Sequence, residues 1–344
     1  ASYHLGLIYD YYYTHHNSTS FSNTGVGIPV FANDYADPDN AHYVNGTITL
    51  GAGGTLFYNW AAALDLTAHE YTHGVTDATC QLVYQFESGA LNESMSDVFG
   101  TVVDSANWTL GEIIIIQPNQ YGATALRDMS DPHNGQPAGS PFWQPADMSE
   151  FQNMPVNEDN GGVHVNSGIV NRAFYLVAAA LGRDKAGRIY FRAWNHYFTS
   201  DTGFQAARPL VEQAAIDLYG NNSTEHQAVR TAFDTVGITS GVVPSDDYTL
   251  YFPLAVNFDH YDKTFNCGLW IINTEDAAVH YTLSLYDEQG ASAGSTGSRS
   301  LAAHAMEGWN WDFSSSMGIA TADGRIIGVC DHESADQHVA VATT

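Results

Sequence analysis

The sequence predicts an α+β chain in three parts: a β-rich front (residues 1–60), a mainly helical block (61–240) and, after a linker (241–247), an all-β sandwich (248–344). Three observations carry this. The texture changes at Ala61 from Tyr, Asn, Asp, Gly and Thr to apolar residues at helical spacing. Four more helical patterns follow before residue 238, and Gly, Pro and acidic residues in "ITSGVVPSDD" then end them. Beyond that point short β-branched and aromatic runs alternate with turn residues.

In order, the front contains alternating stretches such as "HYVNGTITL", which suit strands and loops more than helices. "NWAAALDLTAHEYTHGVTD" reads as a helix with Asp65 in its early turns, and "GALNESMSDVFGTVVD" as a second helix opened by Gly89. A loop-rich stretch spans about Asn107 to Asn160. Helices return in "VHVNSGIVNRAFYLVAAAL", "AGRIYFRAWNHYF", "FQAARPLVEQAAIDLYG" and "STEHQAVRTAFDTVG". The runs "TLYFPLAV", "CGLWIINT", "VHYTLSLYD", "GRIIGVCD" and "HVAVATT" are strands of a sandwich of roughly 100 residues.

Composition narrows the partners. With 11 basic against 38 acidic residues and a formal charge of -27, charge-driven binding of nucleic acid or anionic membrane is excluded. No 18-residue apolar run is present, so no membrane span is expected, and the front reads as a mature, processed terminus. Of three cysteines, Cys267 and Cys330 share the last block and are candidates for a bridge; Cys80 is expected as a buried free thiol.

The chemistry centres on "TAHEYTHGVTD". On a helix, residues four apart share a face, so His69 and His73 can present two imidazoles to one ion. Glu70 is rotated about 100° from His69, within reach of a water at that ion without ligating it. By chance this pattern arises in roughly one chain in fifty, so it needs partners. Catalytic zinc takes three protein ligands and keeps a fourth position open. Glu93, twenty residues after His73, is the candidate third ligand, and Asn92 and Asp97 flank it where they could hold the histidines' other nitrogens.

"LTAHEYTHGVTDATCQLVYQFESGALNESMSDVFGTVVD" resembles the zinc-binding region of thermolysin-like metallopeptidases, and the resemblance runs from about residue 1 to 238 through "YDYY", "DNAHYVNG", "ALRDMSDP", "DNGGVHVNSGIVNRAFYLV", "GRDKAGRIYFRA" and "AIDLYG". It implies a secreted, two-lobed zinc endopeptidase acting on proteins or peptides, with a β-rich N-lobe and a mainly helical C-lobe. Zinc ligands are then His69, His73 and Glu93, with Glu70 as general base. Tyr84 and His164 correspond to the residues that hydrogen-bond the developing oxyanion, and Asp159 to the carboxylate that orients His164. Arg127 matches the arginine for a substrate carbonyl, and Asn40 and Ala41 match edge-strand positions that pair with substrate backbone. Phe57, Trp60, Leu66 and Leu126 match the lining of the pocket for the residue after the cut bond. Trp60 is larger than the family's usual aliphatic there, which predicts a shallower apolar pocket.

Asp65, Asp104, Asn107 and Glu112 match part of the family's double-calcium site. Thr109 stands where an acid is expected and the loop is shorter, so one structural calcium is expected rather than two. "NDYADPDN" reads as a plain Asp/Asn turn. Members of the family carry roughly seventy further residues at the front, so the N-lobe is expected to be reduced, or its missing segment cleaved and retained by non-covalent association. The last block is expected to bind a surface, a polymer or another subunit. Two other readings stand beside the endopeptidase. A catalytically silent structural or adhesive module would not need Glu70, and an aminopeptidase would need an acidic site for a free amine, which the sequence does not display.

Overall fold

The computed structural model describes residues 1–117, 122–140 and 142–239 in full and, beyond them, nine strands by their backbone pairing. By internal contacts the chain divides into Ala1–Ser240 and Gly241–Thr344.

The first unit opens on helix α1 (Ser2–His16), where strands and loops were expected. The tyrosine-rich run "YDYYYTHH" carries β propensity, but packing decides otherwise. Ile8 and Tyr12, four apart, are fully buried, and the Tyr12 hydroxyl lies 2.8 Å from Thr72 Oγ1. Tyr9 and Tyr13 stack on each other on the exposed face.

At the end of α1, the His16 ring lies parallel to Phe191 with centroids 3.8 Å apart, and the Tyr11 hydroxyl lies 3.1 Å from its Nε2. Burial first, then the positive charges of His15 and Arg188, push the His16 pKa down to about 3. The unfolded chain takes up this proton near pH 6.5 and the folded chain refuses it, so stability is lost as pH falls from about 6.5 toward 3. His16→Phe should flatten that slope by an amount on the order of a few kcal/mol. Urea titrations of both proteins from pH 7 to 4 check this, and parallel slopes would reject it.

A three-stranded sheet follows, of β1 (Val30–Asp34), β2 (Ala41–Val44) and β3 (Thr47–Gly51), in the order β1-β3-β2. β3 is central, parallel to β1 and antiparallel to β2, with Ala41 opposite Leu50 and Val44 opposite Thr47. The β2–β3 turn is Asn45-Gly46, both with positive φ (48° and 81°), the two-residue turn whose twist matches a hairpin. β2 is therefore an edge strand, and it lies against helix α2 (Leu64–Ala78).

Helix α3 (Phe86–Val103) begins three residues before the expected Gly89. It is packed between α2 and helix α5 (Asp159–Leu181) and is buried almost throughout from Gly89 to Val102. A helix buried all round is usually apolar. This one carries Asn92, Glu93, Ser94, Ser96, Asp97 and Thr101 into the interior, so their partners decide the fold's cost.

Between α3 and α5 run the short strands β4 (Thr109–Leu110) and β5 (Arg127–Asp128), which pair, and helix α4 (Pro132–Gly135). Helices α6 (Arg183–His196), α7 (Phe204–Tyr219) and α8 (Thr224–Thr235) complete the unit. The core includes Phe99 stacked on Trp194 at 5.2 Å and the fully buried Phe174, Phe204 and Phe233.

The second unit has strands β6 (Tyr248–Leu254), β7 (Asp259–His260), β8 (Lys263–Thr264), β9 (Leu269–Asn273), β10 (Val279–Tyr286), β11 (Ser292–Leu301), β12 (Met306–Trp309), β13 (Ile326–His332) and β14 (Val339–Thr343). They form an antiparallel four-stranded sheet, β11-β10-β13-β6, a three-stranded one, β12-β9-β14, and a β7–β8 hairpin. The expected linker and the Cys267–Cys330 bridge lie outside the described residues. Cys80 is free and half-buried, and burial raises its thiol pKa to about 11.

Candidate active site and metal centre

α2 and α3 bring three side chains to one point. His69 and His73 hold their Nε2 atoms 3.0 Å apart. Glu93 places Oε2 3.5 Å from His69 Nε2 and Oε1 3.3 Å from His73 Nε2. Among the described residues these three are the one group of His, Cys, Asp and Glu whose ligand atoms all lie within 4.8 Å of one another. Tetrahedral zinc with ligands at about 2.0–2.1 Å spaces them roughly 3.3 Å apart, which the three pairs fit. Glu93 Oε2 is buried with no hydrogen-bond partner, an orphan that a cation would satisfy.

The outer nitrogens of both rings are taken. His69 Nδ1 is 2.8 Å from Asp97 Oδ1, and His73 Nδ1 is 2.8 Å from Asn92 Oδ1. With a carboxylate and an amide oxygen accepting at Nδ1, each Nε2, once free of its proton, can offer a lone pair to an ion at the cluster. Asp97, fully buried, also accepts from Arg127 Nη2 at 2.7 Å and from Asn171 Nδ2 at 2.8 Å, and its Oδ2 is paired in charge with Arg127 Nε at 2.7 Å. Burial would raise the Asp97 pKa, but Arg127 and His69 outweigh it and hold it below the usual range.

Electrostatics at the cluster follow the same balance. Burial would raise Glu93, yet His164, His69 and His73 keep it well below an ordinary carboxyl. Burial would lower His73, but its hydrogen bond and charge pairing with Glu93, with help from Glu70, raise it to about 9. Binding of an ion at neutral pH therefore displaces a proton from His73.

The remaining expected groups surround this cluster. Glu70 is buried on α2 beside His69, and its charge is felt at His73 and at Tyr84. The Tyr84 hydroxyl donates to Glu93 Oε1 and lies 3.1 Å from His164 Nε2. His164 Nδ1 is 2.5 Å from Asp159, whose other oxygen accepts the backbone N–H groups of His164 and Val165. Desolvation opposes charge on the half-exposed His164 ring, and Glu93 and Asp159 outweigh it, raising its pKa.

Leu66 and Leu126 meet over Gly111, where an added Cβ would lie 2.8 Å from Leu126 and 3.1 Å from Leu66. Gly111 also has φ of +70°, so two separate reasons require glycine there. Phe57 and Trp60 form an edge-to-face pair with centroids 5.1 Å apart. Asn40 is exposed just before the edge strand and Ala41 begins it. The "NDYADPDN" segment is tied by its own carboxylates: Asp34 accepts the Ala36 N–H, and Asp39 those of Thr55, Leu56 and Phe57.

The calcium candidates are placed differently. Asp65 spends its oxygens on the backbone N–H groups of Leu66 and Gly111, while the Asn107 amide donates to Glu112 at 2.8 Å and Thr109 bridges the two. The Asp104 carboxylate accepts a long bond from Ala106 N–H, at 3.5 Å, and its carbonyl accepts from Arg183 Nη1 at 3.4 Å. Burial, together with the nearby charges of Glu112 and Asp104, raises the Asp65 pKa to about 7 against the pull of its two N–H donors.

Sequence reasoning missed Asn171. It stands on α5, 74 residues from Asp97, and its only sequence signal was a polar residue within a mainly apolar helical run.

A buried two-histidine, one-carboxylate cluster with an adjoining carboxylate can hold a metal ion beside a group able to take a proton. Residues 1–77 match the family model for the thermolysin metallopeptidase catalytic domain, and residues 80–238 that for its alpha-helical domain. Extracellular elastase of Staphylococcus epidermidis is 41% identical over 244 residues, covering 69% of this chain and 46% of that protein. Thermolysin of Alicyclobacillus acidocaldarius subsp. acidocaldarius is 38% identical over 254 residues, covering 69% and 44%. Among solved structures, the precursor of protealysin, a metalloproteinase from Serratia proteamaculans, superposes with a TM-score of 0.62 at 32% identity over 69% of this chain and 76% of that one. The chain belongs to the thermolysin metallopeptidase family, and it spans about half the length of the curated relatives it matches. Among the described residues no helix is long and apolar enough to cross a membrane.

Proposed function

We propose that the protein is a secreted, zinc-dependent endopeptidase that cuts peptide bonds before apolar residues. The observation that carries this is the convergence of His69, His73 and Glu93 with Glu70 beside them and Tyr84 and His164 in front. Bound zinc supplies a Lewis acid that lowers the pKa of water and polarises a carbonyl. Glu70 takes the proton of the attacking water and returns it to the leaving amine. Tyr84 and His164 hydrogen-bond the carbonyl oxygen as it gains charge, a contribution of a few kcal/mol per donor in other hydrolases. Asp159 accepts from His164 Nδ1, and together with Glu93 it raises the His164 pKa, so the ring is favoured as an imidazolium whose Nε2 also carries a proton to donate.

Arg127, held by Asp97, binds a carbonyl of the substrate beyond the cut bond, and the edge at Asn40 and Ala41 pairs with its extended backbone. Phe57, Trp60, Leu66 and Leu126 receive the apolar side chain that follows the bond, with Trp60 limiting depth. Secretion rests on the acidic, lysine-poor composition and on the relative named as an extracellular elastase. The second unit is read as a β-sandwich accessory that binds a surface, a polymer or another subunit.

Digestion of unfolded casein, with new N-termini read by mass spectrometry, tests this. Most new termini should begin with Leu, Ile, Val or Phe; no cutting by folded, zinc-loaded protein would favour a catalytically silent module instead. A structural calcium belongs to the same proposal, because Asp65, Asp104 and Glu112 leave mutually repelling charge around a buried carboxyl. Millimolar calcium should raise Tm by several degrees in wild type and much less in Asp65→Asn, as binding to the folded state requires; equal shifts would exclude this site.

A further inference from the structure

Phe86 is a conformational outlier beside the site. Its φ is +51°, in the left-handed region where the side chain of a bulky residue is crowded by its own backbone. Asn or Gly would occupy that conformation at little cost. Burial does not explain its retention, since Phe86 remains 50% exposed.

The contact it makes is specific. Its ring lies over the Cα of Gly161, where an added Cβ would sit 2.4 Å from Phe86 Cδ1 and 2.7 Å from Cε1. Gly161 belongs to a run of four residues with positive φ: Asp159 (50°), Asn160 (49°), Gly161 (87°) and Gly162 (87°). That left-handed turn forms the first residues of α5 and carries Asp159 at its start and His164 two residues beyond its end. On one side Asp159 ties it to the helix through the N–H groups of His164 and Val165. Gly162 faces Met154 and Asn166. The Phe86 ring covers Gly161, and Phe86 is two residues from Tyr84.

Persistent strain next to a site points to a constraint that the surrounding structure maintains. We propose that Phe86 is a positioning residue: its ring clamps the turn at Gly161 and so sets the aim of Asp159 and His164 relative to Tyr84. The inference rests on the endopeptidase reading for its effect on rate, but the clamp itself is a statement about the turn.

The test uses the full-length, zinc-loaded chain as wild type, Phe86→Asn, which suits the backbone and removes the ring, and Phe86→Tyr, which keeps the ring. Phe86→Asn should hold its zinc and its Tm, or gain in Tm, while kcat falls on the order of tenfold with KM little changed. Phe86→Tyr should restore kcat. In parallel, hydrogen exchange at the amides of residues 160–165 should be several-fold faster in Phe86→Asn than in the other two. Equal kcat and equal exchange in all three proteins would overturn the clamp, as would a kcat loss that merely tracks lost zinc or lost folded protein. A wild type that cuts nothing would sink the endopeptidase reading alone, and the exchange rates would still decide the clamp.

Discussion

Glu70→Gln is expected to lower kcat by about 10²–10⁴, or roughly 2.7–5.4 kcal/mol, with zinc content and KM close to wild type. The substitution preserves volume and removes only the ability to take a proton. Glu70 is buried on α2 beside His69, and the metal-competent atoms belong to His69, His73 and Glu93. The ion site should therefore survive intact while the transfer of a proton from water fails. Steady-state kinetics on a quenched-fluorescence peptide, with metal content measured on the same sample, separate the two. A variant that retained activity within a few-fold of wild type would assign the base elsewhere.

The second large effect falls on Asp97, which meets three partners at once. It orients His69, neutralises Arg127 and is itself held by Asn171. Asp97→Ala leaves the Arg127 guanidinium buried without its partner, a change that costs about 3–5 kcal/mol in comparable cases. For a unit of this size that corresponds to a fall in Tm of roughly 10 °C. It also frees the His69 ring, and loss of such a support lowers metal affinity about 10- to 100-fold. Melting in the presence of a chelator isolates the first effect, and competition with a zinc indicator isolates the second. Asp97→Asn, which keeps shape but not charge, should fall between. If the chelated variant melted with wild type, the buried ion pair would carry no stability and this account of α3's polar interior would be wrong.

How much of this was legible in the sequence depended on range. The helix bearing His69, Glu70 and His73 could be read because its geometry is local: four residues make a turn. Asn92 and Asp97 could be picked out as neighbours of Glu93, but which histidine each one serves is decided by how α2 crosses α3. Asn171 was invisible, because its place on Asp97 depends on α5 packing against α3 across 74 residues. α1 was misread because tyrosines favour strands in isolation, and burial of Ile8 and Tyr12 on one face overrode that preference. The start of α3 was placed at Gly89 because glycine looks like a boundary, whereas the break falls at Gln85, in extended backbone, followed by the left-handed Phe86. For Asp65, Asp104, Asn107 and Glu112 the residue types were evident, but their separation is set by the 104–112 loop, whose course no pattern encodes.

The central claim is that His69, His73 and Glu93 hold the ion on which cutting depends and that Glu70 acts beside it. The most direct test pairs zinc analysis with casein digestion for the wild type as isolated, after chelation, and after return of one equivalent of zinc, with Glu70→Gln alongside. The account predicts about one zinc per chain in both proteins, with wild-type cutting lost and regained together with the metal and Glu70→Gln inactive although loaded. Cutting that persists in the zinc-free wild type, or a loaded Glu70→Gln as active as wild type, would contradict it.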